Sequence, residues 1–212
     1  MPRVRRVKDK WKEKEWYTIV APDMFGNAEV VATPAASQEL VLNRVAEVPM
    51  DILTGDASKS HIKLYFQVYR VDGLKARTRF VGHDMTTDYV RRHVRRRRSR
   101  IDGVFDLETS DGYRIRVKPM LITHRRIKTS IKDRLREEMG KFLSEKASSM
   151  TFNEFVLYML SDKIKIEASQ VLRKIYPVRE VEIRKSEVLF IPGESWAPPE
   201  QVQEQEAAAE GA

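Results

Sequence analysis

The segment I-K-L-Y-F-Q-V-Y-R-V-D-G-L-K-A-R-T-R-F-V, residues 62–81, reads as a β-hairpin. Ile62, Leu64, Phe66 and Val68 alternate with Lys63, Tyr65, Gln67 and Tyr69, which gives one strand an apolar row on a single face. Asp72-Gly73 supplies the turn, where glycine tolerates positive φ, and Lys75 to Val81 returns. A second hairpin pairs Val104 to Thr109 with Tyr113 to Met120 through Ser110-Asp111-Gly112.

Working outward, Trp16 to Ala21 reads as a strand ended by Pro22 and Asp23, and Ala28 to Ala32 as a second short one. Ser37 to Val45 reads as a helix closed before Pro49. Thr86 caps a helix running to about Arg97, with Asp88 in its first turn. Three more helices follow. Ser130 and Asp133 suggest a capping box ahead of the stripe Ile131, Leu135, Met139, Phe142 and Leu143. Thr151 and Glu154 suggest another, ahead of Phe152, Phe155, Val156, Met159 and Leu160. Ile164, Ala168, Val171, Leu172 and Ile175 mark the last, stopped by Pro177. Val181 to Ile191 is the final strand. Hairpins first and helices after predict an α+β fold. The expected organisation is a basic arm, 1–14, a single domain, 15–192, and an acidic disordered tail, 193–212.

The 212 residues carry a formal net charge of +8, with 42% hydrophobic and 33% charged side chains and no cysteine. A chain of this length makes one domain or two small ones. The absence of cysteine excludes disulfide scaffolds, cysteine-ligated zinc sites, iron–sulfur clusters and thiol enzymes. No stretch approaches a membrane span, and the N-terminus lacks the apolar segment of a secretory signal.

The charge is concentrated. Residues 1–14 carry +5, residues 91–136 carry +11, and residues 193–212 hold five glutamates and no cation. A basic arm plus one strongly basic central stretch is the electrostatic footprint of a polyanion binder, whereas a merely solvating surface mixes its signs. On the expected helix, Val90, Val94 and Ile101 share a stripe, and Arg91, Arg92, Arg95, Arg96 and Arg98 fan across roughly 160° of the opposite side. Arg97 falls beside the stripe or past the helix end, and Arg100 continues the basic run. Guanidinium forks match phosphate oxygens, so an external anion relieves their mutual repulsion. In the second hairpin Arg114, Arg116 and Lys118 share a face, roughly 7 Å apart. Arg125, Arg126, Lys128 and Lys132, with Arg134, crowd the start of the next helix, where a bound anion suits the dipole. The arm contributes Arg3, Arg5, Arg6, Lys8, Lys10 and Lys12, with Trp11 placed to stack on a base or ribose. Trp16 and Tyr17, beginning a strand, read as core.

Catalytic patterns are poor. His61, His83, His93 and His124 share no metal-ligand spacing, and no phosphate-binding loop or nucleophile elbow occurs. Asp84 and Asp88, which could hold Mg²⁺ one helical turn apart, leave a metal-dependent nuclease as a rival reading, with helix capping and charge relief as the simpler account. A free-standing RNA-binding protein or RNA chaperone is a second rival.

Several segments together resemble one known family. They are G-D-A-S-K-S-H-I-K-L-Y-F (Gly55 to Phe66), G-H-D-M-T-T-D-Y-V-R (Gly82 to Arg91), S-R-I-D (Ser99 to Asp102), T-S-D-G-Y-R-I-R (Thr109 to Arg116) and K-I-Y-P-V-R-E-V-E-I-R-K (Lys174 to Lys185). With the start of the chain from Lys12 to Tyr17, their order and spacing resemble the small-subunit ribosomal protein family called S-three-a, or eukaryotic-type S-one, across roughly residues 10–190. The short chain and the lack of a long basic C-terminal extension look archaeal. The resemblance implies a β-barrel-like sheet of the two hairpins plus terminal strands, flanked by about four to five helices. It implies a cytoplasmic, non-enzymatic constituent of the small ribosomal subunit, needing no cofactor and no membrane. Its expected partners are small-subunit rRNA on the platform near the messenger exit, neighbouring proteins including the universal S-eleven, and messenger RNA near that exit.

Overall fold

A computed structural model describes residues 11–192. Nine strands and five α-helices occur among them, giving a mixed sheet that is not closed. The α+β class holds, without closure into a barrel. The chain divides into two compact units. One runs to Ser60 and resumes over Leu64–Val81; the other holds His61–Lys63 and continues from Gly82.

In the first unit, β1 (Glu15–Val20) pairs antiparallel with β2 (Glu29–Ala35). Its other edge runs parallel to β5 (Lys75–Met85), with Thr18 opposite Lys75 and Val20 opposite Arg77. β4 (Ile62–Asp72) lies between β5 and β3 (Val45–Pro49). The predicted hairpin forms, and Gly73 at φ +62° makes its turn. Period-two burial follows: Leu64, Phe66 and Val68 are buried, and Phe66 meets Phe25 and Phe80 ring to ring at 5.5 and 6.4 Å. Tyr17 is core as expected; Trp16, on the opposite face of β1, is 59% exposed.

The helix expected over Ser37 to Val45 is absent; turns lead instead into β3. Leu40 and Leu42 are exposed and only Val41 is buried, so the segment has no apolar stripe to dock. Its backbone goes to β4: Asn43 N–H donates to Val68 O, and Val68 N–H to Arg44 O, both at 2.9 Å. A short helix not foreseen, α1 (Met50–Thr54), follows Pro49 and ends at Gly55 in the left-handed region.

In the second unit, Gly82–Asp84 of β5 pair antiparallel with Glu187–Lys185 of β9 (Val178–Phe190). β9 pairs along β8 (Arg114–Thr123), which also carries β6 (Arg100–Asp102) and β7 (Phe105–Glu108). Gly82 is required: a Cβ there would stand 2.2 Å from the Ser186 carbonyl oxygen. α2 (Thr87–His93) stops four residues short of the expected end, because Val94 turns to extended geometry and Arg97 takes φ +64°. Asp84 sits in strand β5, ahead of the Thr86 cap, and is not one helical turn from Asp88.

α3 (Thr129–Ser149), α4 (Phe152–Leu160) and α5 (Asp162–Leu172) bury most of the predicted stripes, including Leu135, Met139 and Leu143, Phe155 and Val156, and Ile164 and Ala168, while Ile175 lies past α5 and is exposed. The Thr151–Glu154 capping box forms, with Thr151 N–H donating to Glu154 Oε2 at 3.1 Å. Ser130 does not cap: α3 begins at Thr129, and its N-cap is Lys128, two residues earlier. α5 ends at Leu172 rather than continuing toward Pro177. Gly140 of α3 admits the Phe105 ring from β7; a Cβ at Gly140 would lie 2.7 Å from that ring, and one at Gly103 2.6 Å from it.

Candidate nucleic-acid interface

The cations gather by strand register. β6 sets Arg100 opposite Ile122 of β8, while β9 sets Glu180 opposite Ile122 and Val178 opposite Thr123. Two buried hydroxyl residues then fasten the flanking loops. Ser99 N–H donates to Thr123 Oγ1 at 3.2 Å, and Thr123 N–H donates to Ser99 O at 3.0 Å. Thr123 Oγ1 donates to Arg125 O at 2.6 Å, and Ile127 N–H donates to Ser99 Oγ at 3.1 Å. The run Arg95–Arg98 is thus joined to Arg125 and Arg126, with Arg179 next to Val178.

The arginines of that run sit in a turn, not on a helix face as expected. Arg98 N–H donates to Arg95 O at 3.3 Å, and Arg98 Nη1 to His93 O at 3.3 Å. Among the described residues, no carboxylate pairs with Arg92, Arg95, Arg96, Arg97, Arg98, Arg125 or Arg126, nor with Lys128 or Lys132 in the first turn of α3. Burial, then the neighbouring Arg179 and Arg95 cations, lower the pKa of Arg98. Like charges therefore crowd here without internal relief.

The hairpin cations are placed differently. Arg116 holds Asp106 through two bonds, 2.7 and 2.9 Å, and Lys118 meets Glu187 at 3.1 Å. Arg114 approaches Glu108 at 3.9 Å. The Arg116 hydrogen bond keeps Asp106 below the usual carboxylate range. Burial raises the Glu187 pKa, but Lys185 and Lys118 outweigh it and lower it. Arg100 is held by Asp102 at 2.8 Å, and Arg91 lies 3.9 Å from Asp88. Of the arm, Lys14 sits over the Trp11 ring at 4.8 Å, and Lys12 follows in the same turn. Arg3, Arg5, Arg6, Lys8 and Lys10 lie outside the described residues, as does the acidic tail.

Two cations escaped sequence reading. Arg173, just past α5, and Arg179, early in β9, stand in stretches of mixed charge; the register of β9 against β8 brings Arg179 to this end, and Arg173 lines a cleft with His124 and Val178. Neither has a carboxylate partner among the described residues.

Residues 3–192 match the pattern of the Ribosomal S3Ae family. The chain belongs to that family. Relatives named small ribosomal subunit protein eS1 are 48% identical in Methanopyrus kandleri over 88% of this chain and 90% of theirs. The Methanothermobacter thermautotrophicus relative is 46% identical over 90% and 97%, and the Desulfurococcus amylolyticus relative 46% over 88% and 87%. The family match ends at residue 192, so the acidic stretch after it lies beyond what this member shares with the S3Ae pattern. Among the described residues no helix is long and apolar enough to cross a membrane.

Proposed function

We propose that this protein is a structural, non-enzymatic constituent of the archaeal small ribosomal subunit, anchored on small-subunit rRNA by phosphate contacts from the Arg95–Arg98 turn with Arg125 and Arg126. The observation that carries this reading is a set of crowded arginines without acidic partners, fixed by the Ser99–Thr123 bonds. Such a surface is stabilised by an external polyanion, and arginine forks fit phosphate. Membership of a ribosomal protein family, and relatives named for the small subunit, support the setting. On the family resemblance we further propose a position on the platform near the messenger exit, beside the universal S-eleven and messenger RNA.

The test is incorporation. Arg95→Glu, Arg96→Glu and Arg126→Glu combined should abolish co-sedimentation with small subunits while the circular dichroism and melting of the free protein stay native. Normal incorporation of the triple variant refutes the anchoring assignment. A wild-type protein that binds RNA but never co-sediments refutes the ribosomal one.

A further inference from the structure

A cleft of about 540 Å³ opens between α5 and the start of β9, lined by His124, Ile166, Gln170, Arg173, Pro177 and Val178, with Lys165 and Ser169. That volume lies within the roughly 300–1,000 Å³ of small-ligand sites. We propose that this cleft receives one unpaired RNA nucleotide, its base laid on the apolar wall and its phosphate held at the rim by Arg173 and His124. The inference rests on the rRNA-binding reading above and deepens it.

Three observations point to a nucleotide. The wall is apolar where a base would lie: Ile166 is 60% exposed at the cleft, beside Pro177 and Val178. Ile166 points away from the core that buries Ile164 and Ala168 of the same helix, so its side chain is free to form one wall of the cleft. Next, Ser169 and Gln170 bring both donors and acceptors, which an unstacked base edge requires and a phosphate alone does not. Finally, no carboxylate lines the cleft, and Arg173 and His124 have no acidic partner among the described residues. Lys165 is not a third anchor, because its ammonium is taken by Glu182 at 2.8 Å and Asp162 at 3.2 Å. It lends the wall its aliphatic stem and fixes α5 on β9. The register of Thr123 against Val178 sets the cleft beside Arg125, Arg126 and Arg179, so a strand tracked by those cations passes its rim.

The full chain is titrated with hexauridylate, with the same oligomer carrying one abasic residue, and with a six-base-pair RNA duplex. Hexauridylate should shift the His124 imidazole and Gln170 side-chain amide NMR signals, and the abasic oligomer should bind several-fold more weakly. Gln170→Ala with Arg173→Ala, and separately Ile166→Glu, should weaken hexauridylate binding about tenfold and leave duplex affinity unchanged, each with native melting. Arg95→Glu with Arg96→Glu should weaken both ligands, so loss of that response condemns the phosphate-anchoring reading instead. Equal loss on single strand and duplex, indifference to the abasic residue, or binding of an acidic peptide in place of the oligomer overturns the nucleotide assignment.

Discussion

Lys165 Nζ lies 2.8 Å from Oε1 of Glu182, a carboxylate with only 1% of its side chain exposed. Tyr89 Oη donates to the same oxygen at 3.0 Å, while Oε2 has no hydrogen-bond partner among the described residues. A buried carboxylate so supported depends on its cation. Lys165→Met should lower the unfolding free energy by about 3–5 kcal/mol, because it leaves that charge buried and unpaired. Lys165→Met combined with Glu182→Leu should recover most of the loss. Urea melts of the three proteins check this, and a double variant as weak as the single one refutes it.

The same trio predicts an alkaline limit. Burial first, then the Glu182 charge, raise the Tyr89 pKa to about 12. Burial opposes the Lys165 charge, but Glu182 outweighs it and raises that pKa too. Both groups hold their protons more tightly folded than unfolded. Their stabilisation is therefore complete below pH about 10 and is lost as pH rises toward 12. Stability measured from pH 9 to 12 should fall, and Tyr89→Phe should flatten part of the slope.

His83 sets an acid limit by the opposite sign. Its Nε2–H donates to Ile183 O at 3.0 Å, so Nδ1 accepts from the Ser186 hydroxyl at 2.6 Å. Burial lowers its pKa, which keeps the ring neutral in the folded protein. The unfolded chain takes up that proton near pH 6.5, so this contribution is present above 6.5 and declines below it. His83→Gln should lose stability at pH 7.5 and show a shallower decline toward pH 5.5. Parallel profiles for the two proteins would contradict the assignment.

Gly140 lies inside the 21-residue helix α3, where Gly→Ala ordinarily stabilises by about 1 kcal/mol. Here the added Cβ meets Phe105 at 2.7 Å, and that ring is backed by Gly103. Overpacking costs about 1–3 kcal/mol and should win, so Gly140→Ala lowers the melting temperature. Phe105→Leu should relieve the clash and turn the same substitution neutral or favourable.

The ion pairs of the second hairpin can be tested on RNA. Arg116→Glu should change RNA affinity less than Arg96→Glu, because Asp106 already neutralises Arg116. Asp106→Asn releases that guanidinium and should raise affinity, steepening the dependence of log K on log salt by about 1. An unchanged slope would place the hairpin away from phosphate.

Much of the fold was legible where a local rule and a global need agreed. Alternation from Ile62 to Val68, with Gly73 at the turn, gave one hairpin, and Thr151 with Glu154 gave a helix start. The Ser37–Val45 segment has an apolar count that suits a helix, but Asn43 and Arg44 give their backbone groups to Val68, a partner that no local pattern reveals. The arginine run misled for a related reason. Helical projection assumes the helix continues, and Val94 ends it. Which arginines are neutralised, Arg116 by Asp106 and Arg100 by Asp102, depends on pairings across strands. Arg179 becomes part of the surface only through the register of β8 and β9, and Arg173 through the packing of α5 beside Val178.

Among the described residues β9 is the last strand, and it pairs with both β5 and β8. During synthesis, β8 emerges well before the residues that satisfy its long edge. At about 5–20 residues per second that edge stays open for on the order of several seconds. A nascent chain arrested before Val178 carries the bare edges of β5 and β8 together with the crowded arginines of the Arg95–Arg98 run. It is a sticky polycation, and its safe handling depends on translation running through β9 without pause.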